Sequence, residues 1–346
     1  MLPYLLVLGF VMLWIALEHK TLNRKAFFIP LIALSLFAGL RRFSVGTDSG
    51  TYTRDFRNNL DVNYFEFEEG VELGYQYLEY ILLRFDADYV WLFFITALLV
   101  VYCYLGIIKR YSVNYGFSVF LFITLGIYTF FFNGLRQGLA MAIFVLALPY
   151  LLEKKFIPYL LVCLLGSLFH ITALFMIPFY FLVNLRIKPT YKIIATFLGS
   201  LLVSRFLITY IAASNERYEG YADADQEGGG YLTLGFYTIL VLIIYIISRI
   251  YKIEDKQFKQ LFTFYAIGVV FIIPIAISGA NPSGPQRLLT YFTWILVLLL
   301  PIIFKRINNI FVTGSAVFLF IIYFILTTSA FSNLSPYRIN PIFEIF

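Results

Sequence analysis

Charge is scarce in this chain of 346 residues: Asp, Glu, Lys and Arg together make up 13% of it, about half of the roughly 25% that a soluble domain carries. So few charges cannot clothe two or three water-facing domains, which excludes soluble enzymes and soluble binding modules. Cysteine occurs twice, at Cys103 and Cys163, both inside apolar runs. That placement predicts core thiols and argues against a disulfide framework. There is no Walker or dinucleotide glycine motif and no His/Cys cluster at zinc spacing, so no cofactor or metal is expected. A divalent ion held by Asp48 and neighbouring acids has only weak support. The net charge of +6 comes without a patterned basic stripe, so no nucleic-acid partner is expected. The first residues lack a basic stretch and a small-residue cleavage site, so the first apolar run is expected to be a retained span.

What fills the chain is apolar: 61% of residues are hydrophobic and 20% aromatic, with a mean hydropathy of +0.83. Only an integral membrane protein can bury this much, and runs near the length that crosses a ~30 Å hydrocarbon core make it a helical one. The runs are 2–17, 26–40, 90–108, 117–132, 138–152, 156–169, 171–183, 193–212, 231–248, 260–277, 288–304 and 310–330. The expected fold is therefore all-α and polytopic, one membrane domain over 1–346 with about twelve transmembrane or re-entrant helices, interrupted by exterior loops at 41–89 and 213–230. The stretch 156–183 is flanked by Lys154-Lys155 and by Arg186 and Lys188. Basic residues mark the cytoplasmic side, so the stretch reads as a hairpin with His170 near its outer tip.

The same rule places the N-terminus outside and puts all eleven lysines in loops on the inner face, at 18–25, 109–116, 153–155, 184–192, 249–259 and 305–309. Ten of the fifteen arginines fall outside or within the membrane: Arg41, Arg42, Arg54, Arg57, Arg84, Arg136, Arg205, Arg217, Arg287 and Arg338. Arginine kept against the topological rule suggests another duty. Its planar fork grips phosphate or carboxylate in two-pronged fashion and stays charged when desolvated. The first exterior loop holds ten acids against five arginines. Its Val71, Tyr75, Leu78, Leu82 and Phe85 recur at helical spacing, which predicts an amphipathic helix on the membrane surface. The second loop, with Gly228-Gly229-Gly230, reads as a mobile flap or an irregular linker.

Four constellations on the expected outer side carry chemistry. Arg41-Arg42 followed by Gly46-Thr47-Asp48 forms either an oriented cationic site or interface arginines neutralised by lipid phosphates. Asn133-Gly134-Leu135-Arg136-Gln137 is a polar turn between apolar runs, with Arg136 either at a helix end in the interface or in a cavity as an anion clamp. His170 is either a satisfied structural histidine or a titratable group at a re-entrant tip. Gln286-Arg287 opens the eleventh run, where a helix dipole already favours anions. Arg205 lies well inside a span, facing a cavity or snorkelling outward. Together these residues suit a multivalent anion such as a pyrophosphate at the membrane boundary. Arginine charge there stabilises a departing pyrophosphate without a metal, and His170 or Asp48 would serve as base for an attacking hydroxyl.

The ordered fragments Gly-Leu-Arg-Arg-Phe-x-Val-Gly-Thr-Asp-x-x-x-Tyr (39–52), Asn-Gly-Leu-Arg-Gln-x-Leu-Ala (133–140) and Ser-Leu-Phe-His-x-x-Ala-Leu (167–174) resemble the EpsG-like family of bacterial polysaccharide polymerases, functionally Wzy-type O-antigen or capsule polymerases. Arg287-Leu-Leu-Thr-Tyr is a weaker match. The resemblance implies Arg42, Asp48, Arg136, His170 and Arg287 as catalytic candidates. The substrate-binding candidates are Arg41, Tyr52, Glu72, Asn133, Gln137, Arg205, Gln286 and Tyr291. It also implies a multi-pass protein of the bacterial cell (inner) membrane with its site towards the periplasm. The substrates would be undecaprenyl-pyrophosphate-linked repeat units, joined by inverting, metal-independent glycosyl transfer, and a chain-length regulator of the polysaccharide co-polymerase class would be a partner. A flippase for lipid-linked oligosaccharide, an O-antigen ligase and a membrane acyltransferase share parts of this logic. A flippase, however, needs alternating access, and here the arginines favour one side.

Overall fold

Each apolar run becomes helix, and polar side chains at its ends decide where it starts and stops. The computed structural model describes residues 1–59, 61–86, 88–213, 230–278 and 284–343, with the backbone alone at 205–213 and 331. Helix α1 spans Leu2–Leu22 with Pro3 in its first turn and a left-handed Asn23 at its end. Helices α2 (Phe28–Gly39), α3 (Ser49–Asn58) and α4 (Leu73–Leu83) follow, the last two inside the first large loop. Helix α5 (Tyr89–Tyr111) is started by the Asp88 carboxylate, which accepts from Val90 N, and is closed by Lys109 and Arg110, which suit the negative end of its dipole. Asn114 opens α6 (Tyr115–Thr124) in the same way. Helices α7 (Ile127–Asn133), α8 (Leu135–Val145), α9 (Leu148–Leu152), α10 (Phe156–Ser167), α11 (Ile177–Asn184) and α12 (Pro189–Ala213) continue the chain. Helix α13 covers Tyr231–Ile250, and α14 (Lys256–Ile277) is capped by Asp255. Helices α15 (Thr290–Thr293), α16 (Leu296–Ile307) and α17 (Ile310–Leu326), the last capped by Asn309, complete the order.

All twelve apolar runs are thus helical, but they differ in reach. Among the described residues, six helical segments are long and apolar enough to cross a membrane: α1, α5, α6 with α7, α13, α14 and α17 with its extension to Ala330. The eleventh run is a bent pair, Pro285–Thr293 and Leu296–Ile307, kinked by 41°. Helices α2, α8, α10 and the segment Ile171–Asn184 are shorter. At 12 residues, α2 and α10 span about 18 Å, well short of the core thickness. Helices α5, α6–α7 and α14 are the most buried, whereas α13 and α17 lie at the periphery with most of their surface outward. That outward surface is apolar, as with Leu232 and Phe311, each more than 80% exposed, and a lipid-facing helix requires this.

Contacts sort the loops onto two faces. On one, Lys25 Nζ donates to Lys109 O, Gln257 Nε2 to Tyr111 O, Arg306 Nε to Tyr251 O and Lys192 Nζ to Val183 O. On the other, Arg42 N donates to Arg338 O, Asn340 N to Leu40 O, and Asn340 Nδ2 to Asp88 Oδ1 at 3.2 Å. Tyr4 reaches Leu334 O on this second face, so both ends of the described chain share it. The hairpin expected at 156–183 is present. Its feet meet on the lysine face, where Asn184 Nδ2 donates to Leu151 O and Gln260 Nε2 to Leu152 O, each at 3.2 Å. Its tip touches α4 on the opposite face: Gly74 N donates to Leu168 O at 2.8 Å. A Cβ at Gly74 would stand 2.7 Å from that oxygen, so only glycine permits the approach.

Two expectations change in detail. The amphipathic helix in the first loop exists as α4 and buries Tyr75 and Leu82, but it ends at Leu83 and leaves Phe85 83% exposed. Residues 49–58 form a further helix, α3, in addition to the one expected in this loop. The second loop, 213–230, lies outside the described residues except at its ends.

Candidate functional site

Asn133 and Gly134 end α7 and start α8, so Arg136 occupies the first turn of a new helix. The backbone has to break there, because Gly134 takes extended values between two helical neighbours. Arg136 is 3% exposed, and its Nη1 donates to Glu72 Oε2 at 2.7 Å. The other oxygen of Glu72 accepts from Ile171 N at 3.2 Å, the residue after His170. One carboxylate therefore ties the first loop, the α7–α8 break and the hairpin tip together. A charge pair this deep is held in place by geometry, since desolvation offsets most of the attraction.

His170 precedes a 3-10 turn over Ile171–Met176, and its Nδ1 accepts from Thr172 N at 3.3 Å. Thr172 Oγ1 lies 2.8 Å from the same nitrogen and 3.1 Å from Tyr291 Oη. A backbone N–H donates only, so Nδ1 is the acceptor and the ring proton sits on Nε2. The chain Tyr291 O–H to Thr172 O–H to Nδ1 is consistent with that tautomer. Burial, and after it the charges of Arg136 and Arg287, push the imidazole down to about 3. The ring is neutral across physiological pH.

Arg287 lies in a 3-10 turn, Pro285–Leu289, just ahead of α15 and not in the first turn of a regular helix. Its Nη1 donates to Asp48 Oδ2 at 3.2 Å, and its carbonyl accepts from Gln137 Nε2 at 3.3 Å and from Thr290 Oγ1 at 2.5 Å. A Cβ at Gly134 would lie 3.6 Å from the same Nη1, so this guanidinium sits over the start of α8. Asp48 stands at the N-cap of α3 without capping it, its side chain turned instead to an arginine 239 positions away. Nearby, Thr47 N donates to Asn133 Oδ1 at 2.9 Å, Asn133 Nδ2 donates to Ser332 O, and Ser49 Oγ donates to Phe132 O. Gly46 makes the turn possible: its φ of 106° is left-handed, and a Cβ would meet Phe132 O at 2.6 Å.

Arg136, Arg287, Asp48, His170, Glu72, Gln137 and Tyr291 are thus brought together at one end of the bundle, with Asn133 at its edge. Gln286 is buried beside Arg287. Tyr52 packs edge-on against Tyr75 with centroids 6.1 Å apart, and Tyr75 in turn faces Arg136. Two arginines go elsewhere. Arg41 is fully buried, donates to Ala38 O at 2.5 Å and stacks between Phe93 and Phe132, 3.8 and 4.3 Å from their centroids. Its guanidinium is held by rings and one carbonyl, with Nε and Nη2 lacking a hydrogen-bond partner among the described residues. Arg42 points to the Phe43 ring, and its charge also reaches the Tyr89 hydroxyl. No described contact joins it to Arg136 or Arg287. The side chain of Arg205 lies outside the described residues.

Three participants were not anticipated: Thr172, Tyr75 and Glu79. Glu79 follows Tyr75 by one helical turn, so a carboxylate on the apolar stripe of α4 was visible in the sequence. Among the described residues no group of three or more His, Cys, Asp or Glu is gathered as a metal site would need. Comparison with known families gives a match to the model described as the EpsG family over residues 24–339, nearly the whole chain. Neither the curated proteins nor the solved structures yield a match.

Proposed function

The chain belongs to the EpsG family, and on that premise we propose that it is a polysaccharide polymerase of the O-antigen or capsule type. The family is one of polysaccharide-polymerase-type membrane proteins. In this reading the growing glycan leaves its undecaprenyl pyrophosphate and joins the non-reducing-end sugar of a new lipid-linked repeat, by single displacement with inversion, on the periplasmic face. The observation that carries it is the pair of arginines, Arg136 and Arg287, set around one neutral imidazole, each aligned by its own carboxylate, Glu72 and Asp48.

The chemistry follows from charge. As the glycosidic bond breaks, negative charge grows on the departing pyrophosphate, and fixed guanidinium groups stabilise that charge more than they stabilise the bound ground state. Each arginine is already oriented by a carboxylate, so little reorganisation accompanies the reaction. Arginine supplies here the charge that a metal ion supplies in other transferases. Of the two roles open to His170, orientation fits the tautomer: Nδ1 is engaged as an acceptor and so is not open to take a proton from an attacking hydroxyl. Gln137 and Tyr291 hold Arg287 and the hairpin tip in register. A chain-length regulator of the co-polymerase class is the expected partner.

The test supplies purified protein in lipid nanodiscs with lipid-linked repeat extracted from cells lacking it. Wild type is expected to build a ladder of polymers, and Arg136→Ala and Arg287→Ala are expected to build none. Equal ladders from both variants would refute the assignment. The flippase reading is separated in cells: losing a polymerase leaves single repeats at the surface, losing a flippase leaves almost none. Supplying only lipid-linked repeat, with no lipid A core or acyl donor, excludes ligase and acyltransferase activity.

A further inference from the structure

On the loop face beside the arginine pair lies a narrow cleft, open at its mouth, with an enclosed volume of about 20 Å³, whose floor carries both Arg136 and Glu79. Asp55 of α3, Glu68 of the first loop and Tyr75 and Gln76 of α4 form its walls. Gln76 is locked in place: its amide donates to Glu68 O and Val71 O and its oxygen accepts from Glu68 N, which fixes the wall around the opening. Glu79 is 5% exposed, and its Oε1 has no hydrogen-bond partner among the described residues. A buried carboxylate oxygen left without a partner costs stability. Such a group is retained where a ligand supplies the missing donor, and Glu79 lines the cleft.

We propose that the acceptor sugar of the incoming repeat rests at the mouth of this cleft with its attacking hydroxyl inside, and that Glu79 is the general base that takes the proton of that hydroxyl. The inference rests on the polymerase reading and adds to it the acceptor subsite and the base. Arg136 belongs to both places. Its Nη1 is aligned by Glu72 beside His170, while its guanidinium also lines the cleft. A donor pyrophosphate on the arginine pair and an acceptor hydroxyl on Glu79 therefore approach from two sides of one side chain, as a single displacement requires. In that step the acceptor O–H proton passes to the Glu79 carboxylate and the acceptor oxygen forms a bond to the donor anomeric carbon. The bond from that carbon to the pyrophosphate oxygen breaks, and its electron pair leaves on the undecaprenyl pyrophosphate.

The surroundings suit a base. Burial is the main cause that raises the Glu79 carboxyl, to about 7; Asp55 and Glu68 raise it further, while the Tyr75 hydroxyl and Arg136 oppose them. A carboxylate with that affinity for protons is far better matched to a sugar hydroxyl at neutral pH than an ordinary one.

The experiment measures initial rates of ladder formation in nanodiscs, with extracted lipid-linked repeat, from pH 5 to 9. Glu79→Gln, the same shape without the basic oxygen, is expected to lower kcat about 10²- to 10⁴-fold with KM within about threefold of wild type. The wild-type rate is expected to rise with pH through a limb near 7. Asp55→Asn, which removes a neighbouring negative charge, is expected to move that limb to lower pH. If Glu79→Gln does not fold, the Asp55→Asn limb decides alone. A kcat within threefold of wild type in Glu79→Gln, or a limb unmoved by Asp55→Asn, overturns the role of Glu79 and leaves the polymerase reading standing. No ladder from wild type overturns both.

Discussion

The two faces of the bundle carry cations of different kinds and treat them differently. On the lysine face, ion pairs such as Lys155–Glu153 and Lys259–Glu254 are wide open to solvent, with side chains 44–79% exposed. On the loop face, Arg136–Glu72 is 3% and 14% exposed and Arg287–Asp48 22% and 35%. A lysine ammonium is strongly hydrated and works as a topological marker while it stays wet, whereas a guanidinium tolerates desolvation and holds a fixed fork. On the proposed reading, the solvated lysines mark orientation and the sheltered arginines hold the pyrophosphate. Position alone does not make an arginine a ligand, however. Arg41 is the most buried of the described arginines, and its partners are phenylalanine rings.

The sharpest way to break this comparison is to remove the sheltered charges. Arg136→Ala should abolish ladder formation, at least a 10²-fold loss from the missing anion donor. It should also destabilise the protein by about 3–5 kcal/mol, because Glu72 is left buried without its partner; chemical denaturation in detergent reads the second effect. Arg287→Ala should match the loss of activity with a smaller loss of stability, since its pair is more open. If both variants lose stability alike and activity not at all, the two faces do not differ in function. Next, Arg41→Lys should lower stability by about 1–2 kcal/mol through the lost ring stacking, while the protein that stays folded keeps wild-type ladder rates. A rate loss exceeding the folded fraction would return Arg41 to the site.

A third effect depends on pH. The folded His170 has its proton affinity depressed to about 3, against about 6.5 when unfolded. The unfolded chain therefore binds more protons between those values, and stability falls as pH drops from 6.5 towards 3. His170→Asn should flatten that decline in melting experiments; an unchanged decline would show that the ring is not what couples the hairpin tip to acid. The smallest effect is expected on the other face. Lys259→Gln removes an exposed pair with Glu254 and should change neither ladder rate nor melting temperature measurably.

Much of this contrast is legible in the sequence. The lysine and arginine sets are read from residue type and apolar spacing, and among the described residues Arg136 and Arg287 lie on the face opposite Lys25 and Lys192. The hairpin at 156–183 was legible because both flanks are basic, and Asn184 and Leu151 meet where that argument requires. The roles of Arg41 and Arg42 were not legible. They are adjacent, and Arg41 sits in an extended bridge opposite Ile339, where successive side chains point to opposite sides. Which one turned inward depended on the aromatic rings of α5 and α7. Glu79 was partly legible, since a glutamate one turn after Tyr75 breaks an apolar stripe, but only the walls from α3 and the first loop make it the floor of a cleft.

By itself, then, the sequence determined the solvent, the helices, the two faces and the residue types available for chemistry, because hydropathy and helical period are properties of near neighbours. The tertiary structure alone decided partners: Asp48 with Arg287 across 239 positions, Glu72 with both Arg136 and the hairpin tip, and Thr172 with Tyr291. Those pairings join segments whose separation along the chain carries no information about their distance in space. They depend on how short helices such as α8 and α10, unable to span the membrane alone, pack their ends against one another. The scarce charges that first excluded a soluble protein end up concentrated where those ends meet.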